Sequence, residues 1–253
     1  MGTVQGVYMK YVAMSSISYA TLYALAPEVG SDEAISFPFQ CVLSLLAYLS
    51  LLNGIIAMLF RMEEGMELLG KEAATGRVPP WSYVLFVGFH FPTWLYTRLH
   101  GFQDKANGIA VADEVAQGWW LGGRYGNELG KTWAGIVDLT CEFPELSKGK
   151  TSDAYLLLRC WDGVPPSPAQ LEEATEFAVR KRATGDILVH CAHGRGRSTT
   201  VMCACLVKQG LFKSWEDAFV AVKKKRPVVK LNSRMRQALT TWQETYITSQ
   251  KRS

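Results

Sequence analysis

Among the six cysteines of this 253-residue chain there is no Cys-x2-Cys pair and no repeating spacing, and there are only four histidines. A secreted disulfide framework needs dense, regular cysteines, so that class is excluded. A structural zinc module would need further ligands at short, regular intervals, and these are missing too. Charge is absent from three long stretches. Residues 35–60 form an uncharged run of 26, residues 78–97 a run of 20, and residues 11–27 a more polar run of 17. A bilayer span needs about 20 apolar residues with Trp and Tyr near its ends. Trp81, Tyr83, Trp94 and Tyr96 sit near the two ends of 78–97. An uncharged run of 26 is too long for an ordinary buried helix of a soluble domain. The expectation is therefore two or three transmembrane helices within an anchoring region over residues 1–100. A cleaved signal peptide does not fit an amino end with so little positive charge.

Two smaller features complete this first region. His90 and Pro92 lie inside the 78–97 run and read as a kink with a satisfied imidazole. Residues 61–74 place Met62, Met66, Leu69 and Ala73 at helical spacing with four glutamates elsewhere, which predicts a short amphipathic connector lying at the membrane interface.

Residues 1–97 hold four Lys/Arg and seven Asp/Glu, whereas 98–253 hold 23 and 16, a balance of +7. That excess suits an anionic ligand or anionic membrane surface and, by the bias of positive loops, places this second part on the cytosolic side. Nothing specific points to nucleic acid.

From about Val115 the pattern changes to short strands alternating with helices, predicting an α/β domain over 113–248 with a central, mostly parallel sheet flanked by helices. Strands are expected at 118–123, 134–140, 154–160 and 186–190. Helices are expected at 168–182, 196–209, 214–225 and 232–248, with Ser214 and Asn232 as N-caps. The last strand runs into His190-Cys191-Ala192-His193-Gly194-Arg195-Gly196-Arg197-Ser198. A strand, a five-residue loop and a helix start make a nest of inward N–H groups for a tetrahedral oxyanion. In that field a thiolate at Cys191 is stabilised, and Arg197 can clamp two oxygens with its planar fork. The competing readings are a structural cysteine beside a basic turn, or a metal site formed by His190, Cys191 and His193. The strand–loop–helix context favours the nucleophile. A working thiolate also requires a reducing compartment.

These landmarks resemble the dual specificity phosphatases over about residues 113–246. The similar segments are "WWLGGRYG", "GIVDLTCEFPE", "HCAHGRGRS" and "KKRPVVKLNSRMRQAL", in that order. The resemblance implies a Cys-x5-Arg phosphatase needing no metal or other cofactor, with Cys191 as nucleophile. Ala192, His193, Gly194, Arg195, Gly196 and Arg197 would bind the phosphate, and Ser198 would assist the sulfur as it leaves. His190 would orient the loop. In the family a mobile loop carries an acid about thirty positions before the cysteine, and Asp162 lies 29 before it. Asp153 should sit at the far end of its strand, and Asp138 and Asp186 are expected to cap strands or turns. Arg195 reads either as a solvated charge or as a substrate contact. A basic residue there also occurs in phosphatase-and-tensin-type lipid phosphatases, but Ala192 departs from that pattern.

The reading is an integral-membrane phosphatase acting through a phosphocysteine on a phosphorylated protein or an anionic phospholipid. The alternatives are a non-catalytic phosphate-recognising adaptor held at the lipid bilayer, or a rhodanese- or arsenate-reductase-like enzyme. The Asp162 loop and the Arg226-Pro227…Asn232 segment argue against the latter.

Overall fold

The structure is a computed structural model describing residues 4–26, 36–147 and 152–249. Its amino-terminal part is helical: α1 (Val4–Leu25), α2 (Phe37–Met62), a 3-10 turn at Met66–Leu69, α3 (Pro80–Leu85) and α4 (Val87–Ala106). The rest alternates as β1 (Ala112–Ala116), β2 (Trp119–Gly123), β3 (Gly135–Thr140), β4 (Tyr155–Cys160), α5 (Pro168–Arg182), β5 (Ile187–Cys191), α6 (Arg197–Lys208), α7 (Trp215–Lys225) and α8 (Ser233–Trp242). The final residues Gln243–Thr248 form a π-helical turn.

One five-stranded sheet runs in the order β1-β2-β5-β3-β4. β1 is antiparallel to β2, and the other neighbours are parallel. The mostly parallel α/β sheet read from the sequence is thus present, with β1 the one strand of the sheet that the pattern did not reveal. β5 lies centrally, Val189 beside Leu121 of β2 and Val137 of β3. Strand alternation sorts the side chains. Val137, Leu139, Val189 and Cys191 join the core beneath α5–α8, while Ile136 and Leu188 share the opposite face with Tyr155. The starts of α5, α7 and α8 are capped by side chains, the last two by the residues expected. Ser167 and Gln170 form a capping box on α5, and Ser214 and Asn232 cap α7 and α8.

Three expectations change. Among the described residues one helix, α2, is long and apolar enough to cross a membrane. The 78–97 run is not one straight span. The backbone breaks at Phe86 (φ −112°, ψ 30°), and α4 continues to Ala106 with Pro92 inside it. His90 is satisfied as expected, its Nε2 lying 3.0 Å from Ser82 Oγ. The 61–74 connector is not a surface helix either. The chain turns at Glu63 (φ 61°), Leu69 is fully buried, and Lys71 enters the sheet domain as a buried side chain. The end of the 11–27 run lies outside the described residues, as do residues 148–151 in the loop preceding β4.

Candidate active site

β5 ends on Cys191, and after five intervening residues α6 begins at Arg197. The loop between them presses on the end of β2. Gly194 has φ +66°, and a Cβ there would fall 2.4 Å from the carbonyl carbon of Gly122, so only glycine fits. The buried Cys191 Sγ lies 3.3 Å from Ser198 Oγ. Burial alone pushes this thiol up. The Arg197 guanidinium, the Ser198 hydroxyl and the N–H groups of Ser198 and Arg195 outweigh burial and leave it below the free-thiol value. Burial pushes Cys160 up to about 12, and Cys141, Cys203 and Cys205 also shift upward. The loop therefore singles out one sulfur from chemically identical neighbours.

Arg197 is buried and held from behind. Its Nη1 donates to the carbonyls of Leu139 (3.1 Å) and Cys160 (2.7 Å), and Nη2 donates to Glu142 Oε1 at 2.8 Å. Asp162 Oδ1 lies 3.5 Å from Nη2 and its side chain is 53% exposed. The Arg197 Nε is buried with no protein partner. Glu142 thus fixes the plane of the fork while one buried donor, Nε, has no protein partner. Asp162 follows β4 in a tight turn, beside the arginine and open to solvent. Asp153 lies before β4 and is ion-paired with Lys181.

The remaining loop residues are pinned from two sides. Buried Arg226 donates from Nε to Gly194 O (2.9 Å), from Nη2 to His193 O (3.3 Å) and from Nη1 to Asp113. Lys230 N donates to Arg195 O at 2.8 Å. From the amino-terminal side, Arg195 donates to Asp104 of α4, and the His193 ring packs 4.5 Å from that of His100. Burial, with His100 and Arg195 nearby, lowers His193 to about 4, so it is neutral at physiological pH. Arg195 is therefore tied to a helix far away in sequence.

Beneath Cys191 lies a buried polar network. Asp138 is not a strand cap. Its carboxylate accepts from Lys71 Nζ (2.5 Å), Tyr155 Oη (2.8 Å) and Thr140 N (2.8 Å). Lys71 also donates to Thr140 O at 2.8 Å. His190, directly before Cys191, lies opposite Asp138 in the sheet and bonds Glu145 Oε2 through Nε2 at 2.7 Å. Burial opposes charge on all three groups. Even so, Lys71 and His190 hold Asp138 below the carboxylate range, His190 does the same for Glu145, and Asp138 and Glu145 raise His190. A second link joins Trp161, beside Asp162, to the helices. Its Nε1 donates to Glu64 O (2.7 Å), and its ring stacks on Phe60 of α2 (4.5 Å) and meets Phe89 of α4 edge-on (5.9 Å). On the other side of Asp162, Asn232 Nδ2 donates to Gly163 O at 2.8 Å.

Two groups bring three potential metal ligands within 4.8 Å of one another, His100–Asp104–His193 and Asp138–Glu145–His190. The Lys71 ammonium already sits on Asp138 in the second, and Arg195 occupies Asp104 in the first.

Residues 166–245 match the family model for the dual specificity phosphatase catalytic domain. The match spans about a third of the chain and includes the loop from Cys191 to Ser198. Solved structures similar to it include human DUSP28, at 27% identity over 53% of this chain and 94% of that one, TM-score 0.44. A mouse dual specificity phosphatase complexed with zinc tungstate matches at 24% identity over 55% of this chain and 91% of that one, TM-score 0.48. PTPMT1 in complex with PI(5)P matches at 21% identity over 56% and 99%, TM-score 0.47. Cys191, Arg197 and Ser198 lie within the matched residues, and Asp162, just before them in sequence, meets Arg197 beside the same loop. Glu142 was missed although it lies inside the quoted "CEFPE". Lys71 and Asp104 were missed because nothing in their own neighbourhoods signals a distant partner.

Proposed function

We propose that this protein is an integral-membrane phosphatase that hydrolyses phosphate monoesters through a phosphocysteine, with a membrane phospholipid as the favoured substrate. The observation that carries it is Arg197, locked by Glu142 with its Nε unpaired, beside a Cys191 thiol whose ionisation that arginine favours. The thiolate attacks phosphorus in line and the P–O bond to the leaving group breaks. Asp162 gives its proton to the departing oxygen, which leaves as an alcohol. The N–H groups of the loop and Arg197 hold the three equatorial oxygens. A water then attacks the phosphocysteine as Asp162 takes its proton. Cys191 departs as thiolate, helped by the Ser198 hydroxyl, and inorganic phosphate is released.

The lipid preference rests on tethering, which raises the effective concentration of headgroups near the site. The apolar α2 supports an integral anchor. An adaptor reading is disfavoured because nucleophile, arginine and acid are all retained together.

The test uses the whole chain in lipid nanodiscs. Phosphate release is followed from an aryl phosphate, from phosphopeptides and from vesicles containing phosphatidylglycerophosphate or a phosphoinositide. Cys191→Ser is expected to abolish turnover on every substrate while leaving vanadate or phosphate binding in place. Near wild-type turnover by Cys191→Ser would remove the nucleophile assignment. Turnover of phosphopeptides but of no lipid would replace the substrate class.

A further inference from the structure

The 78–97 run has the composition of a membrane span, yet α4, which holds most of it, has two unlike faces. One is docked. Phe89, His90 and Thr97 are buried, His100 packs on His193, and Asp104 holds Arg195. The other is bare. Val87, Phe91, Leu99 and Phe102 are 49, 58, 55 and 59% exposed, with Trp94 and Leu95 completing the stripe. Their spacing of three to four residues puts them on one side of the helix over nearly its whole length. Trp81, Val84 and Leu85 of α3 extend the same apolar character. A helix surrounded by acyl chains could not give one face to a phosphate loop with charged residues. A helix in water would not leave such a stripe uncovered.

We propose that α4 lies in the plane of a bilayer surface, its outer face in the boundary between headgroups and acyl chains and its inner face carrying the phosphate loop. Three observations choose a lipid surface as the occupant. α2, which packs on α4, is itself long, apolar and mostly exposed. It runs for 26 residues, about 39 Å at ~1.5 Å per residue, enough to cross the hydrocarbon and still reach Trp161 with Phe60 near its last turn. Within the stripe, the Arg98 guanidinium lies between the rings of Trp94 (5.8 Å) and Phe102 (5.4 Å), an arrangement suited to a headgroup phosphate above and apolar chains below. Lys105 adds a second exposed cation one turn beyond Gly101. In this arrangement the loop that starts α6 is held about one helix diameter (~10 Å) from the headgroup layer, which keeps a phosphomonoester of the membrane surface close to it.

The inference rests on the phosphatase reading for its kinetic readout, so a second readout is independent of it. First, Leu99→Glu with Phe102→Glu is assayed in nanodiscs against phosphatidylglycerophosphate in the bilayer and against a soluble aryl phosphate. The expected result is a loss of about tenfold or more on the lipid with the aryl rate held within about twofold, because charge on the face opposes interfacial seating. Equal effects on the two substrates would overturn the proposal, and absence of aryl activity in the wild-type chain would instead overturn the phosphatase reading. Second, a nitroxide is placed at Leu99→Cys in a Cys41→Ser, Cys191→Ser background, with Lys224→Cys on α7 as control. Access by dissolved oxygen at 99, and by a water-soluble nickel complex at 224, is the expected pattern. Water access at both positions, or burial of the label at 99 against another protein or a second copy, would contradict a lipid occupant.

Discussion

The amino-terminal helices and the sheet domain arrange their apolar residues in opposite ways. In the sheet domain Val137, Val189, Val201 and Leu239 lie inside and are fully buried. In α2 and α4, Leu45, Leu51, Phe91 and Leu99 point outward, and the buried residues are those that meet each other or the sheet domain. Such a contrast would ordinarily mark an anchor and a separable enzyme. The contacts between the two regions say otherwise. Phe60 and Phe89 seat the tryptophan beside Asp162, Asp104 holds a loop arginine, and Lys71 pairs with the aspartate beside the strand that ends on Cys191. The helices supply the charge and shape that the sheet domain lacks at its own centre.

The largest expected effect tests the half of the comparison that belongs to the sheet domain. Asp162→Asn should slow hydrolysis of alkyl or lipid phosphates by about 10²–10⁴-fold and affect an activated aryl ester much less, since only a poor leaving group needs the proton. Asp153→Asn, tied to Lys181 at the far end of β4, should do neither. Steady-state rates on the two ester types decide this, and equal behaviour of the two variants would withdraw Asp162.

Next comes the link itself. Lys71→Met leaves Asp138 buried without its cation, a loss of about 3–5 kcal/mol read by denaturant unfolding. Asp138 is held below the usual carboxylate range, so the stabilisation from the pair is present above an ordinary carboxylate pKa and is lost as pH falls through the lower folded value. The cost of Lys71→Met should accordingly shrink on acidification. Adding Asp138→Asn should recover part of it. Equal losses at neutral and acid pH, with no recovery in the double variant, would mean that the ion pair does not join the two regions.

Much of this was legible in the chain. Secondary structure from β2 onward follows directly from alternating apolar residues and the caps Ser214 and Asn232, and the nucleophile loop announces itself by spacing. β1 was overlooked because Asp113 and Glu114 interrupt its apolar pattern; Asp113 is there to receive Arg226. The 78–97 run has the composition of a span because it is free of charge, and composition counts residues without regard to face: the polar groups of its docked side, His90 and Thr97, are uncharged or neutral, and Asp104 comes after it. Lys71 was unreadable for another reason. A lone lysine after a glycine turn looks like any solvated charge until the fold brings Asp138, 67 residues away, onto it.

The most direct test of the claim that the helices complete the catalytic centre is to remove them. Residues 98–253, produced alone, are compared with the whole chain in nanodiscs for cooperative unfolding and for phosphate release from a soluble aryl phosphate, a substrate that needs no membrane. The account predicts that the fragment, lacking Lys71, Phe60 and Phe89, shows no cooperative transition near that of the whole chain and loses most of its aryl phosphatase activity. A fragment that folds cooperatively and turns over the aryl phosphate at the rate of the whole chain would contradict it.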